Sequence, residues 1–359
     1  MVSRRMTEMT TRERMRLTYA HQEADRAPIM DLPWESTINR WRKEGLPAGA
    51  DWGEYLDVDC VRRIMADNSP RYPVQVVENT DEYRVYTTPW GATRKDWLTT
   101  GAQGYLDYSI TTKDAWLKAK RRMKPDRDRI SWDYLKSQYP SWRERGDWIS
   151  GGLWFGFEVT YSHMVGDELF LAMIDDPDWV MDMVDTMLDL SIELLEMIWQ
   201  AGYHFDEVMW YNDMGFKNAQ FMSVDMYRDL FKEADRRAAA WAHNKGCVVY
   251  YHSCGDINPL VPELMDAGVD MLNPLEIKAG MDPLHLKDQF GDKLAFHGGL
   301  NAVSYENPAD MWSEMERLIP TMKRDGGYVI GTDHSVPNSV SLEQFREFVA
   351  RAKQLGSYE

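Results

Sequence analysis

The chain has 359 residues, 58 acidic and 41 basic, for a formal net charge of -17. A chain this acidic is repelled at long range by nucleic acid and by anionic membrane surfaces, so neither is expected as a partner. An apolar fraction of 44% and a charged fraction of 28% exclude wholesale disorder, and the length admits two domains or one large α/β barrel.

The opening, Met1 to Arg16, is polar and mixed in charge and does not read as a secretory signal. No stretch approaches the ~18 apolar residues of a membrane span. Three cysteines, Cys60, Cys247 and Cys254, are too few and too odd in number for a disulfide framework. A cytoplasmic protein is expected.

An N-terminal helical extension over 1–26 starts with a helix capped at Thr10 or Thr11 and leads into an apolar strand at 28–32. A helix placed there would plug one end of a barrel. Over 71–96 the apolar residues alternate around a turn cluster, which predicts a β-hairpin excursion. From residue 147 onward, strands are expected at 148–153, 207–211, 247–251, 271–275, 294–297 and 328–330. Helices are expected between them at 179–198, 224–244, 259–267, 283–290 and 308–324. This rhythm calls for a parallel sheet with helical crossovers and fits a single-domain (β/α)8 TIM barrel over 1–359. No strand is followed by a GxGxxG or GxxxxGK[ST] motif, which argues against an open dinucleotide- or nucleotide-binding sheet.

Chemistry in such a barrel sits at the C-terminal ends of the strands. His252 and Cys254 close the run VVYYHSC, and residues two apart on extended backbone point the same way. An imidazole and a thiol side by side suit Zn2+. A catalytic zinc takes three protein ligands, and His334 in GTDHS, at the end of the last strand, is the expected third. An arbitrary HxC is more often a core histidine and a small buried cysteine, and the strand-end position with a matching Asp333-His334 on a second strand end turns the reading toward a ligand pair. Asp213 and Glu276 are the strand-end carboxylates placed for catalysis, although Asp213 also suits a cap and Glu276 a solvated loop. Trp34, Glu35, Trp154, Phe155, Glu158, Tyr211, Asn212 and His297 follow strands as well and are assigned to substrate binding. The aromatics among them suit a planar organic substrate, with core packing as their other role. The Met-rich stretch at 179–198 reads as a packed helix face.

These motifs, from RERMRLTYAHQEADRAPIMD through NDMGFKN, YHSCGDINPLVPELMDAGVDMLNPLE and FHGGLN to GGYVIGTDHSVP, resemble the uroporphyrinogen decarboxylase-like superfamily. The resemblance is to its branch of zinc-dependent, corrinoid-linked methyltransferases. It implies a barrel, a zinc ion and a methyl group moved between a small methylated donor or acceptor and a corrinoid carried on a partner protein. A methoxylated aromatic is weakly favoured as substrate, and a homodimer is left open. Where the family often has a second cysteine near the chain end, this chain has His334; a site poorer in thiolate is a stronger Lewis acid. The alternative is a metal-free decarboxylase of the uroporphyrinogen type, but the stretch DRAPIMDLPWEST offers only Arg26 for a substrate rich in carboxylates.

Overall fold

The computed structural model describes residues 8–98 and 102–358. Residues 1–7 of the expected extension lie outside the described residues. Seven parallel strands run in the order Val61–Ile64, Trp148–Gly152, Glu207–Tyr211, Val248–His252, Met271–Asn273, Ala295–His297 and Tyr328–Val329. The segment 28–32 occupies the eighth place and closes the barrel. The Met30 amide donates to the Ile330 carbonyl (2.9 Å), the Ile330 amide to Pro28 (2.8 Å), and the Asp59 amide to Ile29 (2.9 Å). Pro28 and Pro33 remove donors at either end of this segment, which leaves it as a short bridge instead of a regular strand. The strand Val61–Ile64 was not expected from the sequence, because Arg62 and Arg63 interrupt its apolar pattern.

Inward-facing residues fill the barrel in layers. Trp148, Met209, Tyr250, Met271, Ala295 and Val329 pack together with Met15, which comes from the helix Thr11–Tyr19. That helix is set by a capping box: Thr10 accepts from the Glu13 amide, and the Glu13 carboxylate accepts from the Thr10 amide. It plugs the N-terminal end of the barrel. Tyr19 stacks on Trp148 with ring centroids 5.8 Å apart, and its hydroxyl donates to Glu207 at 2.6 Å.

Outside the barrel, the helix Pro177–Gln200 buries Val180, Met183, Val184, Met187, Leu188, Leu194, Leu195 and Ile198, the i, i+3, i+4 stripe of a packed face. The helix expected over 224–244 is two, Val224–Leu230 and Lys232–Asn244, broken at the buried Phe231. In an unbroken helix Tyr227 and Asp235 would stand two turns apart. The break lets the Tyr227 hydroxyl reach Asp235 at 2.8 Å.

The predicted hairpin belongs to a larger unit, a four-stranded antiparallel sheet of Val76–Asn79, Tyr83–Thr87, Ala92–Trp97 and Gln103–Tyr108. The expectation at 71–96 covers its first three strands. The fourth lies in a glycine-bearing stretch, GAQGYLDY, with little strand signal. This sheet rests on the π-helix Val159–Val165, with Tyr105 donating to His163 Nδ1 at 2.6 Å, and so overhangs the C-terminal mouth of the barrel.

Candidate metal centre

A cavity of about 810 Å3 opens at the C-terminal ends of the strands. Barrel residues Trp154, Glu158, Tyr211, Asp213, His252, Cys254, Asn273, His297 and His334 face it from below, and Arg94, Gln103 and Tyr105 reach it from the overhanging sheet. Three of these converge. Donor atoms of Asp213, His252 and Cys254 lie within 4.8 Å of one another. His252 Nε2 is 3.4 Å from Cys254 Sγ and 3.5 Å from Asp213 Oδ1.

The local sequence explains this convergence. His252 ends its strand, and the chain turns through Cys254 and Gly255, whose φ is +82°. Gly255 backs directly on Gly215: a Cβ there would sit 2.1 Å from the Gly215 carbonyl carbon. The two glycines thus let the loop after Tyr211, which carries Asp213, close on the loop after His252. The contact is secured by the Cys254 amide, which donates to Asp213 Oδ1 at 2.9 Å, and by the Gly255 amide, which donates to Glu276 at 2.8 Å.

Burial governs the electrostatics of these groups. Burial pushes the Cys254 thiol far up, and the nearby Asp213, Glu276, Glu158 and Asp333 push it further. Glu158 is raised to about 8 by burial and by Asp213. Asp333 is raised as well, chiefly by burial, and its Oδ2 is buried with no hydrogen-bond partner. Burial lowers His252, outweighing the pull of Asp213, so its contact with that carboxylate joins two groups with free lone pairs. His252 Nδ1–H donates to Asn273 Oδ1 at 2.5 Å, which leaves Nε2 as the free donor atom facing Cys254 and Asp213. One oxygen, one nitrogen and one sulfur ligand with an open side toward a cavity fit a catalytic zinc.

Residues 159–355 match the family profile described as uroporphyrinogen decarboxylase (URO-D). The chain belongs to the uroporphyrinogen decarboxylase family. No curated protein matches it. Among solved structures it is similar to a methyltransferase from Methanosarcina mazei, at a TM-score of 0.66 and 15% identity over 97% of this chain and 99% of that one. That likeness is one of fold. A 3-keto-D-glucoside 4-epimerase from E. coli follows at a TM-score of 0.40 and 12% identity, over 69% of this chain and 100% of the other.

Within this family barrel the residues picked out from sequence fall into three groups. Trp154, Glu158, Tyr211, Asp213, His252, Cys254, His297 and His334 all line the one cavity. His334 stands on its wall with its ring 6.0 Å from Trp34, outside the close group that Asp213 completes. Glu276 acts from behind by holding the Gly255 amide. Asn212 is fully buried and accepts from the Glu158 amide at 3.2 Å, orienting that loop from beneath.

The third group stands apart from the cavity. Phe155 is fully buried against Trp210, with ring centroids 5.6 Å apart. Trp34 caps the helix Glu35–Lys43, which buries Thr37 and Trp41, and Glu35 on its outer side faces Arg42 at 3.6 Å. Sequence reading passed over Asn273, Tyr105, His163 and Arg63. The first stands in the motif LNPLE as the last residue of the strand Met271–Asn273, in register with His252 and inside the strand expected at 271–275. The others lie in segments without a motif.

Proposed function

We propose that this chain is a zinc-dependent methyltransferase that moves a methyl group between a small methylated substrate and a corrinoid protein. The observation that carries this reading is the convergence of Asp213, His252 and Cys254 on one open-sided point of the cavity. The fold shared with a methyltransferase supports it, and so does the motif resemblance that suggests the corrinoid partner. Asp213, His252 and Cys254 would hold the ion, with His334 close enough on the cavity wall to interact with His252 electrostatically. When bound, zinc supplies Lewis-acid polarisation of the heteroatom that carries or receives the methyl group.

The chain's own residues do the rest. Asn273 fixes the His252 tautomer, and Glu276 holds the loop that presents Cys254. Glu158 keeps its proton near neutral pH and faces the same cavity, where it can hand that proton to a leaving heteroatom. Trp154 and Tyr211, with ring centroids 6.0 Å apart, form an aromatic wall beside His252. Tyr105, Arg94 and Gln103 of the overhanging sheet narrow the way in and limit water.

The test is elemental analysis of purified protein beside Cys254→Ser, Asp213→Ala and His334→Ala. About one zinc per chain is expected in the parent. It should be lost in Cys254→Ser and Asp213→Ala and retained in His334→Ala. Absence of zinc after reconstitution, with activity undiminished in Cys254→Ser, would replace this reading with metal-free decarboxylation.

A further inference from the structure

The overhanging sheet meets the barrel through two tyrosines of its last strand, Gln103–Tyr108, and both land on the π-helix Val159–Val165 and its end. Tyr108 packs on Gly166 so closely that a Cβ there would sit 2.4 Å from its ring. Tyr105 meets His163, which lines the main cavity, with 2.6 Å between its hydroxyl and Nδ1. The imidazole is wedged among aromatic rings, with the Trp154 centroid 5.3 Å away, that of Tyr105 5.4 Å and that of Trp90 6.5 Å. A ring held in this way keeps its orientation, so the groups around it decide which nitrogen carries the proton.

Two observations settle that choice. Burial, reinforced by the charge of Arg94, pushes His163 down to about 4, and it forms no ion pair among the described residues, so the ring is neutral. A neutral imidazole has one donor nitrogen and one acceptor. Arg94 stands directly across the strand pair from Tyr105 and holds its positive charge beside the phenol oxygen, with Asp96 anchoring the guanidinium at 2.6 Å. An oxygen that turns its lone pairs to a guanidinium points its own proton the other way, toward Nδ1. The proton of His163 therefore sits on Nε2. That nitrogen has no hydrogen-bond partner among the described residues and is not sealed in by protein atoms, so its N–H opens on the cavity that the ring lines. His297 and His252, by contrast, have both ring nitrogens engaged: His297 by Tyr250 and the Met30 carbonyl, His252 by Asn273 and the Cys254–Asp213 group.

We propose that Tyr105 is a positioning residue that locks His163 as a neutral Nε2–H donor, so that the overhanging sheet completes a subsite for an uncharged hydrogen-bond acceptor of the substrate, a carbonyl or ether oxygen. Trp154 carries this subsite toward the metal centre, since its ring lies 6.0 Å from that of Tyr211, and the Tyr211 ring lies 4.6 Å from that of His252. A cationic group at this end of the ligand meets Arg94 and the positive end of an N–H dipole and is disfavoured. That the acceptor and the methyl group belong to one molecule rests on the methyl-transfer reading of Asp213, His252 and Cys254. The tautomer and the donor do not depend on it.

The test is nitrogen NMR of histidine-labelled, zinc-supplemented protein at pH 7, with His163→Gln assigning the signal. The parent is expected to show His163 as the Nε2–H tautomer, and Tyr105→Phe should move it toward a mixture with zinc content unchanged. Acetophenone should shift the Nε2 signal and bind roughly two- to tenfold more tightly than α-methylstyrene, in which a CH2 group replaces the carbonyl oxygen, the value of one neutral hydrogen bond. That preference should vanish in His163→Phe, survive in His163→Gln, which keeps a donor, and shrink in Tyr105→Phe. Cys254→Ser should lose zinc and keep both tautomer and preference. A charged or Nδ1–H His163 in the parent, a tautomer unmoved by Tyr105→Phe, or acetophenone that leaves the His163 signal in place or binds no better than α-methylstyrene overturns the proposal. A parent without zinc in which Tyr105 still sets the tautomer and the preference supports the donor site while removing the methyltransferase reading.

Discussion

At the floor of the barrel Asp59 is fully buried between Arg14 at 2.9 Å and Arg26 at 2.7 Å, and it also accepts from the Ile29 amide at 2.8 Å. At the mouth, Glu158 and Asp213 are drawn together and neither forms an ion pair with an arginine or lysine among the described residues, where Asp333 Oδ2 likewise has no hydrogen-bond partner. Burial alone would push Asp59, Glu158 and Asp333 up. At the floor the two arginines outweigh it and hold Asp59 below its usual range, whereas at the mouth Glu158 rises to about 8. The difference separates a stability site from a candidate ligand site. A fold that pairs its buried carboxylate with two arginines at one end leaves a raised, proton-holding carboxyl at the other, beside the three residues that would hold the proposed zinc.

The sharpest way to break this comparison is to remove one charge from the closed end. Asp59→Ala leaves Arg14 and Arg26 facing each other in a buried space, and a loss of about 3–5 kcal/mol of folding stability is expected. Chemical denaturation should show it as a lower midpoint, while the zinc content of the folded fraction stays at the parental level. The same carboxylate should govern acid unfolding. Its folded value lies below its unfolded value, so its contribution is full above the ordinary aspartate range and is lost as pH falls through the folded value.

At the open end, Asn273→Ala takes away the acceptor that holds His252 Nδ1–H and frees the ring to turn. Zinc affinity should fall roughly 10–100-fold, as for other partners that orient a metal-bound imidazole. Competition against a chelator would measure it, and the denaturation midpoint of the metal-free protein should barely move. A large stability loss with unchanged zinc affinity would make Asn273 part of the framework instead.

How far these two ends could be read in advance follows from what each is made of. The strand ends that carry His252, Cys254, Asp213 and His297 lie in apolar runs closed by polar residues, a pattern that survives in one dimension. The early strand Val61–Ile64 does not, because Arg62 pairs with carboxylates on one side while Arg63, still exposed, meets Tyr211 on the other, and two adjacent arginines look like a solvated loop. Asp213 was visible as a strand-end carboxylate. Its approach to Cys254 depends on the back-to-back packing of Gly215 and Gly255, a contact between loops some forty residues apart that no local spacing encodes. Phe155 shows the opposite limit: it shares a motif with Trp154 and Glu158, yet alternation along the chain turns it into the core against Trp210. The reach of the overhanging sheet into the cavity was likewise invisible, since Tyr105 meets His163 only through tertiary packing.

Asp235 stands between the two extremes and shows itself only through pH. It is buried outside the barrel wall, has no cation, and accepts instead from Trp210 Nε1 at 2.9 Å and the Tyr227 hydroxyl at 2.8 Å. These donors, with Tyr251 beside them, are neutral and do not offset its burial, which raises it to about 7. The folded state therefore keeps a proton that the unfolded chain has released above its ordinary aspartate value near 3.8. Between that value and about 7 the unfolded state binds fewer protons, so this residue lowers stability as pH rises, by at most roughly 1.4 kcal/mol per pH unit. The sign is opposite to that of Asp59. Asp235→Asn should flatten this part of the stability profile, measured by denaturant titrations from pH 4 to pH 8, and should leave zinc binding untouched. A profile that keeps its slope in the variant would mean that neutral donors alone suffice to hold a buried carboxylate ionised here. The contrast between closed and open ends would then rest on the arginines less than on the number of hydrogen bonds each carboxylate receives.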